Sequence, residues 1–414
     1  MQTDAEPFLQ RVRAFPDDDG PRLVFADWLE EQGGPGLARA ALIRIQIALE
    51  GLSEGDPARS ELLNAERILF DAHLKDWVAP FRAFCTSPVF RRGFVDEVNI
   101  DARQFLRHAH DLFAAGPVRQ LQLMDVGANL GRVMQSTYLG RLSGLTVYAQ
   151  HLRDPLALAV ARCPYLTGLR QLNLRKNRIT DAGADALAGA QALSSLEEIN
   201  LSENELTEAG ARALAASPHL GSLRRLDLRQ NPVGPVGAEA VAASDRLAAL
   251  EWLVLSECGV GSPRLQTLPR PSALLRVTTL DLSANGLGAA ALKAILTPAA
   301  DAPVRLRSLD LSRNDLGEPG ARAVAGAAAL TGLRTLKMSD CRLNDDAIRA
   351  LASSPHLSAV TEFDLGNNPA GDAGFEAFLH TPHPRVMQLT LPAIGISPPL
   401  RRELDRRFRG PAGA

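Results

Sequence analysis

Lysine is almost missing from this chain. Of 45 basic residues only Lys75, Lys176, Lys293 and Lys337 are lysines, and 47 acidic residues bring the formal net charge to −2. No global basic field therefore recruits nucleic acid or an anionic membrane. Cysteine is equally scarce: Cys85, Cys163, Cys258 and Cys341 form no Cys-x-x-Cys pair and no His–Cys spacing of the zinc kind. No apolar run reaches 18 residues, which excludes a membrane-spanning helix of ordinary composition. The opening Met-Gln-Thr-Asp-Ala-Glu-Pro-Phe is acidic and lacks the basic and apolar regions of a signal peptide, so a cytoplasmic location is expected. The phosphate-binding G-x-x-x-x-G-K-[ST], the nucleophile elbow G-x-S-x-G and the zinc motif H-E-x-x-H are also missing. Neither catalysis nor a cofactor or metal is expected.

What the chain has in quantity is leucine at fixed intervals. Leu169, Leu172 and Leu174 lead to Asn177, then Leu196, Ile199 and Leu201 to Asn204, then Leu223, Leu226 and Leu228 to Asn231. The series continues with Leu250 to Cys258, Val277 to Asn285, Leu306 to Asn314, Leu333 to Cys341 and Val360 to Asn368. A degenerate copy runs Val386, Leu389, Leu391, Ile394. The ninth positions from Asn177 to Asn368 fall 27 residues apart, except for one step of 29.

In an extended strand alternate side chains share a face, so Leu172 and Leu174 point inward together and Asn173 outward. One short strand cannot bury its leucines alone, whereas stacked copies bury one another's. Between strands come stretches such as Asp181-Ala-Gly-Ala-Asp-Ala-Leu-Ala and Glu208-Ala-Gly-Ala-Arg-Ala-Leu-Ala. These predict helices with acidic residues at their positive ends and alanines for close packing. An Asn amide, or a Cys thiol, at the ninth place can bond backbone groups of neighbouring turns. The expected architecture is α/β: a right-handed solenoid, a horseshoe with a parallel sheet on its concave side and helices on its convex side. Repeats of this length and pattern over 169–394 resemble leucine-rich repeats of the ribonuclease-inhibitor type.

Weaker copies extend upstream: Leu142, Leu145 and Val147 with Gln150 at the ninth place, then Val118, Leu121 and Leu123, then Val95, Val98 and Ile100. After Cys258, the prolines 263, 269 and 271 predict an irregular segment in place of a helix. Residues 1–90 predict a small helical domain, 91–168 irregular first repeats, 169–396 the regular array and 397–414 a capping helix and tail. The strings Phe15-Pro-Asp-Asp-Asp-Gly-Pro-Arg-Leu-Val-Phe-Ala-Asp-Trp-Leu-Glu-Glu31 and Ala41-Leu-Ile-Arg-Ile-Gln46 resemble the bacterial repeat-companion domain, which implies a module preceding leucine-rich repeats. Phe90-Arg-Arg-Gly-Phe-Val-Asp-Glu-Val98 resembles the junction such proteins use.

Several residues invite a chemical reading. Asp17-Asp18-Asp19 lacks the alternating ligand register of a calcium loop, and capping of the helix begun at Pro21 is the simpler use. Asp27, in an apolar helix, is expected to bond the Trp28 indole or a nearby Arg. His108 and His110 are two apart on a predicted helix and diverge. His380 and His383 sit in a loop without acidic or Cys neighbours. Cys258 and Cys341 stand at ninth places and are structural by position, Cys163 near a repeat's convex end is expected in the core, and Cys85 has no assigned place. Leu400, Leu404 and Phe408 recur every four residues, a stripe fit to cover the open core of the last repeat.

The outward positions of the strands form rows about 4.8 Å apart. Trp252 and Val254 stand out as apolar in a polar field beside Arg225, Asp227 and Arg229. An outward Trp next to Arg is a pairing enriched at interface hot spots, although Trp252 can equally lie flat under Arg225 in an internal cation–π contact. The expected partner-binding residues are Trp252, Arg225, Arg229, Arg175 and Val254, with Asp227, Asp281 and Asp310 as the acidic side. The expected function is a non-catalytic protein-binding scaffold, with no nucleic acid or membrane partner. Because ribonuclease-inhibitor-type repeats also build GTPase activators, stimulation of a nucleotide hydrolase in trans is the alternative the resemblance implies.

Overall fold

The structure, a computed structural model, describes residues 2–53, 55–261, 271–297, 304–380 and 385–408. It contains two compact units, residues 1–150 with 163–173, and 151–162 with 174–414. The proline segment 262–270 and the residues 381–384, including His383, lie outside the described residues.

The first unit begins with four helices, α1 (Gln2–Ala14), α2 (Gly20–Gln32), α3 (Pro35–Gly51) and α4 (Pro57–Trp77). Pro21 and Pro35 lie in the first turns of α2 and α3, where N–H groups have no intrahelical partner to lose. Gly33, with φ at 69°, closes α2. Val12, Phe25, Ala26, Ala40, Ile43 and Phe94 form the core, against which Phe8, Leu9, Trp28 and Ile47 pack. Phe8, Trp28, Phe25 and Phe94 form a run of stacked or tilted rings with centroids 5.2–6.1 Å apart.

A hairpin follows: β1 (Thr86–Arg91) pairs antiparallel with β2 (Phe94–Asp101). Its turn, Arg92-Gly93, has positive φ at both residues (50° and 82°). A Cβ at Gly93 would lie 2.1 Å from Ile43 Cγ1 and 2.8 Å from the Ile43 Cα, so only glycine fits against α3. Gln46 completes the contact by accepting the Gly93 amide at 2.6 Å and donating to Glu66 at 2.6 Å. Parallel pairing then runs from β2 through β3 (Gln120–Met124) and β4 (Gly144–Thr146) to β5 (Gln171–Asn173), with α5 (Ala102–Ala115) between β2 and β3. These strands fall on the expected Val98/Ile100, Leu121/Leu123 and Leu145 positions. At the expected ninth place, Gln150 donates to the Leu123 carbonyl at 2.6 Å and accepts the Val126 amide at 2.8 Å, doing for its neighbour what an Asn does elsewhere.

The second unit carries β6 (Glu198–Asn200), β7 (Arg225–Asp227), β8 (Trp252–Val254), β9 (Thr279–Asp281), β10 (Ser308–Asp310), β11 (Thr335–Lys337), β12 (Glu362–Asp364) and β13 (Gln388–Thr390). All are parallel and in strict register, Arg225 opposite Trp252 and Asp227 opposite Val254. Their middle residues, Ile199 to Phe363, are at most 1% exposed. Each such aliphatic side chain contributes on the order of 2 kcal/mol by leaving water. The inter-strand helices pack on one another in order, Asp181–Ala188, Glu208–Ala215 and Gly234–Ala242, then Ala289–Leu296, Gly317–Ala325 and Asp345–Ala352. Helix Pro398–Phe408 buries Leu400, Leu404 and Phe408 as the stripe requires, with Phe408 edge-on to Phe378.

Two ladders of polar groups hold the second unit's coils at constant spacing. Asn204 donates to the carbonyls of Leu174 and Leu201 at 3.1 and 2.8 Å, and its Oδ1 accepts the amides of Asn177 and Ile179, both at 3.0 Å. Asn231, Asn285, Asn314 and Asn368 repeat the donor half of this pattern. The acidic residues at helix starts do more than meet a dipole. Asp181 Oδ1 accepts the amides of Thr207 and Gly210, both at 2.8 Å, and so caps the helix one repeat on. Asp154 and Asp345 do the same for the next helices.

Candidate functional site

Strand alternation places the third and fifth residues of each repeat on the side of the sheet away from the leucines. On that face Trp252 is 40% exposed, the one large apolar side chain so exposed among the described strand residues of the second unit. The register of β7 and β8 brings Arg225 beside it, and the guanidinium lies 4.4 Å from the Trp252 ring centroid. One face of the indole is thus occupied from within the chain. Val254, next outward on β8, is half-buried.

Arg229 is held by its own strand. Asp227 accepts the Arg229 backbone amide at 3.0 Å and the guanidinium at 2.9 Å. Burial works against the Arg229 charge, but the bond to Asp227 and the fields of Asp281 and Glu203 outweigh it and raise the pKa. Arg175 stands apart from Trp252 in an ion pair with Glu203. The four cationic and aromatic residues expected together therefore divide into an Arg225–Trp252 stack, an Arg229–Asp227 pair and an Arg175–Glu203 pair.

Asp281 and Asp310 are different. Each accepts the amide two residues on, Ser283 at 2.8 Å and Ser312 at 2.9 Å, and neither forms an ion pair with a described residue. Burial pushes the Asp310 carboxyl above its usual range. Beside Trp252 the third-place row continues with the small hydroxyl residues Thr279 and Ser308, and past the carboxylate row the buried seventh-place pair Ser283–Ser256 is bonded at 2.8 Å.

A further row was invisible to alternation alone. The eighth residues Lys176, Glu203, Gln230, Glu257, Ala284, Arg313, Asp340 and Asn367 all have φ between 52° and 58°. Strict alternation would turn them inward; the left-handed backbone turns them out, where several of them bridge repeats. Gln230 donates to Glu257 at 3.0 Å, and Arg313 pairs with Glu257 at 3.5 Å.

The remaining candidates have local uses. Asp18, rather than the N-cap residue Asp19, accepts the first amide of α2, that of Gly20, at 2.9 Å. Asp19 pairs with Arg92 at 3.4 Å, and Asp17 binds Arg119 at 2.6 Å and Arg170 at 3.2 Å. The bond from Arg119 holds the Asp17 carboxyl below its usual pKa. Asp27 pairs with Arg44 at 2.7 Å, the Arg alternative of the two expected for it. His108 meets Asp111 and His110 meets Tyr138.

All four cysteines are buried free thiols. Cys258 and Cys341 donate to the Leu228 and Leu311 carbonyls at 3.1 and 3.2 Å, and burial pushes both thiols up to about 12. Cys85, similarly raised to about 11, bonds the Phe81 carbonyl, and Cys163 bonds that of Met134. Among the described residues no cluster of three or more His, Cys, Asp or Glu could hold a metal, and no helix is long and apolar enough to cross a membrane.

Residues 167–233 match the family model described as "Leucine rich repeat", and 306–325 and 330–352 match a second described as "Leucine Rich repeat". The fold is that of a leucine-rich-repeat solenoid with a helical N-terminal region. No curated protein sequence matches the chain. Among solved structures, a complex of TLR13 with ssRNA13 is similar over 73% of this chain at 17% identity and a TM-score of 0.45. The chain spans 44% of that protein's length. An internalin from Listeria monocytogenes aligns over 86% of this chain and 90% of its own, at 15% identity and a TM-score of 0.41. In a yeast complex of Rad7 with Elc1 the alignment covers 90% of this chain and 91% of that one, at 13% identity and a TM-score of 0.43.

Proposed function

We propose that the chain is a non-catalytic scaffold that binds another protein on the outward face of its sheet, with Trp252 at the centre of the contact. The observation that carries this reading is the exposure of Trp252 among polar neighbours. A tryptophan left 40% exposed on a rigid sheet is large, costs little entropy to immobilise and is the residue type that most often dominates binding energy. Its stack with Arg225 fixes the ring before any partner arrives, which lowers the ordering cost of association. Asp281 and Asp310, with no ion-pair partner among the described residues, then supply charge selection and Arg225 the opposite sign, while Arg229 and Arg175 enter the surface as pairs with Asp227 and Glu203.

The test is capture from a lysate of the source cells, read by quantitative mass spectrometry with wild type against the double variant Trp252→Ala/Arg225→Glu. A protein retained by wild type and lost with the variant is the expected result. Capture indifferent to the variant removes the sheet face as the binding surface.

A further inference from the structure

Within the first unit, α1 and the segment after α5 border a cavity of about 600 Å³. Three guanidinium groups line it, those of Arg13, Arg119 and Arg141, against one lining carboxylate, Glu6. Their states differ. Arg119 is committed to Asp17 at 2.6 Å. Arg13 bonds Glu6 at 2.9 Å and the Ala114 carbonyl at 2.7 Å through its terminal nitrogens, while its Nε is buried with no acceptor. Arg141 forms no ion pair with any described residue; it lies over the Phe113 and Tyr138 rings, 5.4 Å from each centroid.

The lining is thus positive, three guanidinium groups against the one carboxylate of Glu6, with Asp17 outside it shared by Arg119 and Arg170. A guanidinium over aromatic rings and without a carboxylate partner among the described residues has N–H groups to offer an acceptor. Planar forks of this kind match carboxylate and phosphate oxygens. The volume lies within the range of small-molecule sites, and Phe113 and Pro117 give the wall an apolar part. We propose that this cavity binds a small organic oxyanion, a phosphate or carboxylate on an apolar body, with Arg141 as the donor and Arg13 adding positive charge to the wall. This site shares no residue with the proposed sheet-face contact, so its test does not depend on that reading.

Calorimetric titration of the full chain with phenyl phosphate and, separately, benzoate tests the proposal, with inorganic phosphate as the bodiless control. Saturable binding of at least one aryl anion is expected, tighter than inorganic phosphate. Which of the two binds tells the headgroup. Arg141→Gln should weaken it by about tenfold to a hundredfold, the loss of a charge-assisted bond. Arg141→Lys, which keeps the charge and loses the fork, should fall between. Circular dichroism establishes that the variants remain folded. No saturable binding of either aryl anion, or equal affinity in wild type and folded Arg141→Gln, would overturn the assignment.

Discussion

The amide of Gly234 donates to the carbonyl of Cys258, one repeat on, at 2.9 Å, and Gly234 holds a φ of 65°. Gly317 stands in the same relation to Cys341, at 3.0 Å and 53°. Where the next repeat carries Asn, its Oδ1 also accepts amides at the preceding turn, as Asn204 does for Asn177 and Ile179. A thiol is a weaker acceptor than that Oδ1, and before Cys258 and Cys341 a left-handed glycine makes the backbone bond, which Arg153, at φ 56°, also makes to the Asn177 carbonyl at 2.7 Å.

No atom lies within 4 Å of a Cβ built at Gly234, so Gly234→Ala should cost only backbone strain, about 1–2 kcal/mol. In a Cys258→Asn background the turn can revert to the Asn form, and the same substitution should cost less. Urea denaturation of the four proteins of this cycle reads the coupling, expected at about 0.5 kcal/mol or more. Strict additivity would show that the two positions are independent.

Asp310 gives a pH-dependent prediction. Its carboxyl is raised by burial, so the folded state binds the proton more readily than the unfolded one, whose pKa stays near 3.8. The stability this group contributes is therefore fully present below that unfolded value and is lost as pH rises through the folded one. Asp310→Asn, which keeps the oxygen that accepts the Ser312 amide, should unfold at a higher temperature than wild type at neutral pH. The gap should close on acidification. Equal melting temperatures at neutral pH would mean the carboxylate is not disfavoured there. The retention of a costly carboxylate on this face fits a role in selecting a cationic partner.

Capping between repeats makes a third prediction. Asp181→Ala removes the acceptor of the Thr207 and Gly210 amides and should destabilise the chain by about 1–2 kcal/mol. Asp181→Asn, which can still accept both, should lose less. Hydrogen exchange of those two amides reads the effect locally; unchanged protection in the Ala variant would remove the capping account.

Much of this architecture was readable because the rules behind it are short-range and periodic. Leu226, Leu253 and Leu280 point inward by simple alternation, and a 27-residue step brings Arg225 beside Trp252 without further information. Gln150 was readable at its ninth place for the same reason. The turn at Arg92-Gly93 was not, because its cause is remote: Ile43 and Gln46 on α3 leave no room there for a side chain and bind the Gly93 amide. The eighth-position row was missed because left-handed residues such as Glu203 and Glu257 break the alternation used to place them. The ion pair of Arg175 with Glu203 was not legible for the same reason, since Glu203 belongs to that left-handed row.

The central claim is that a protein partner covers Trp252. Hydroxyl-radical footprinting of the wild-type chain, free and with its captured partner, measures this directly. Trp252, at 40% exposure, and Met387, at 56%, should both oxidise in the free chain, with Met387 the internal control just before β13. The account expects Trp252 to be protected in the complex while Met387 is oxidised as before. Trp252 oxidation undiminished in a complex that is fully formed would contradict it.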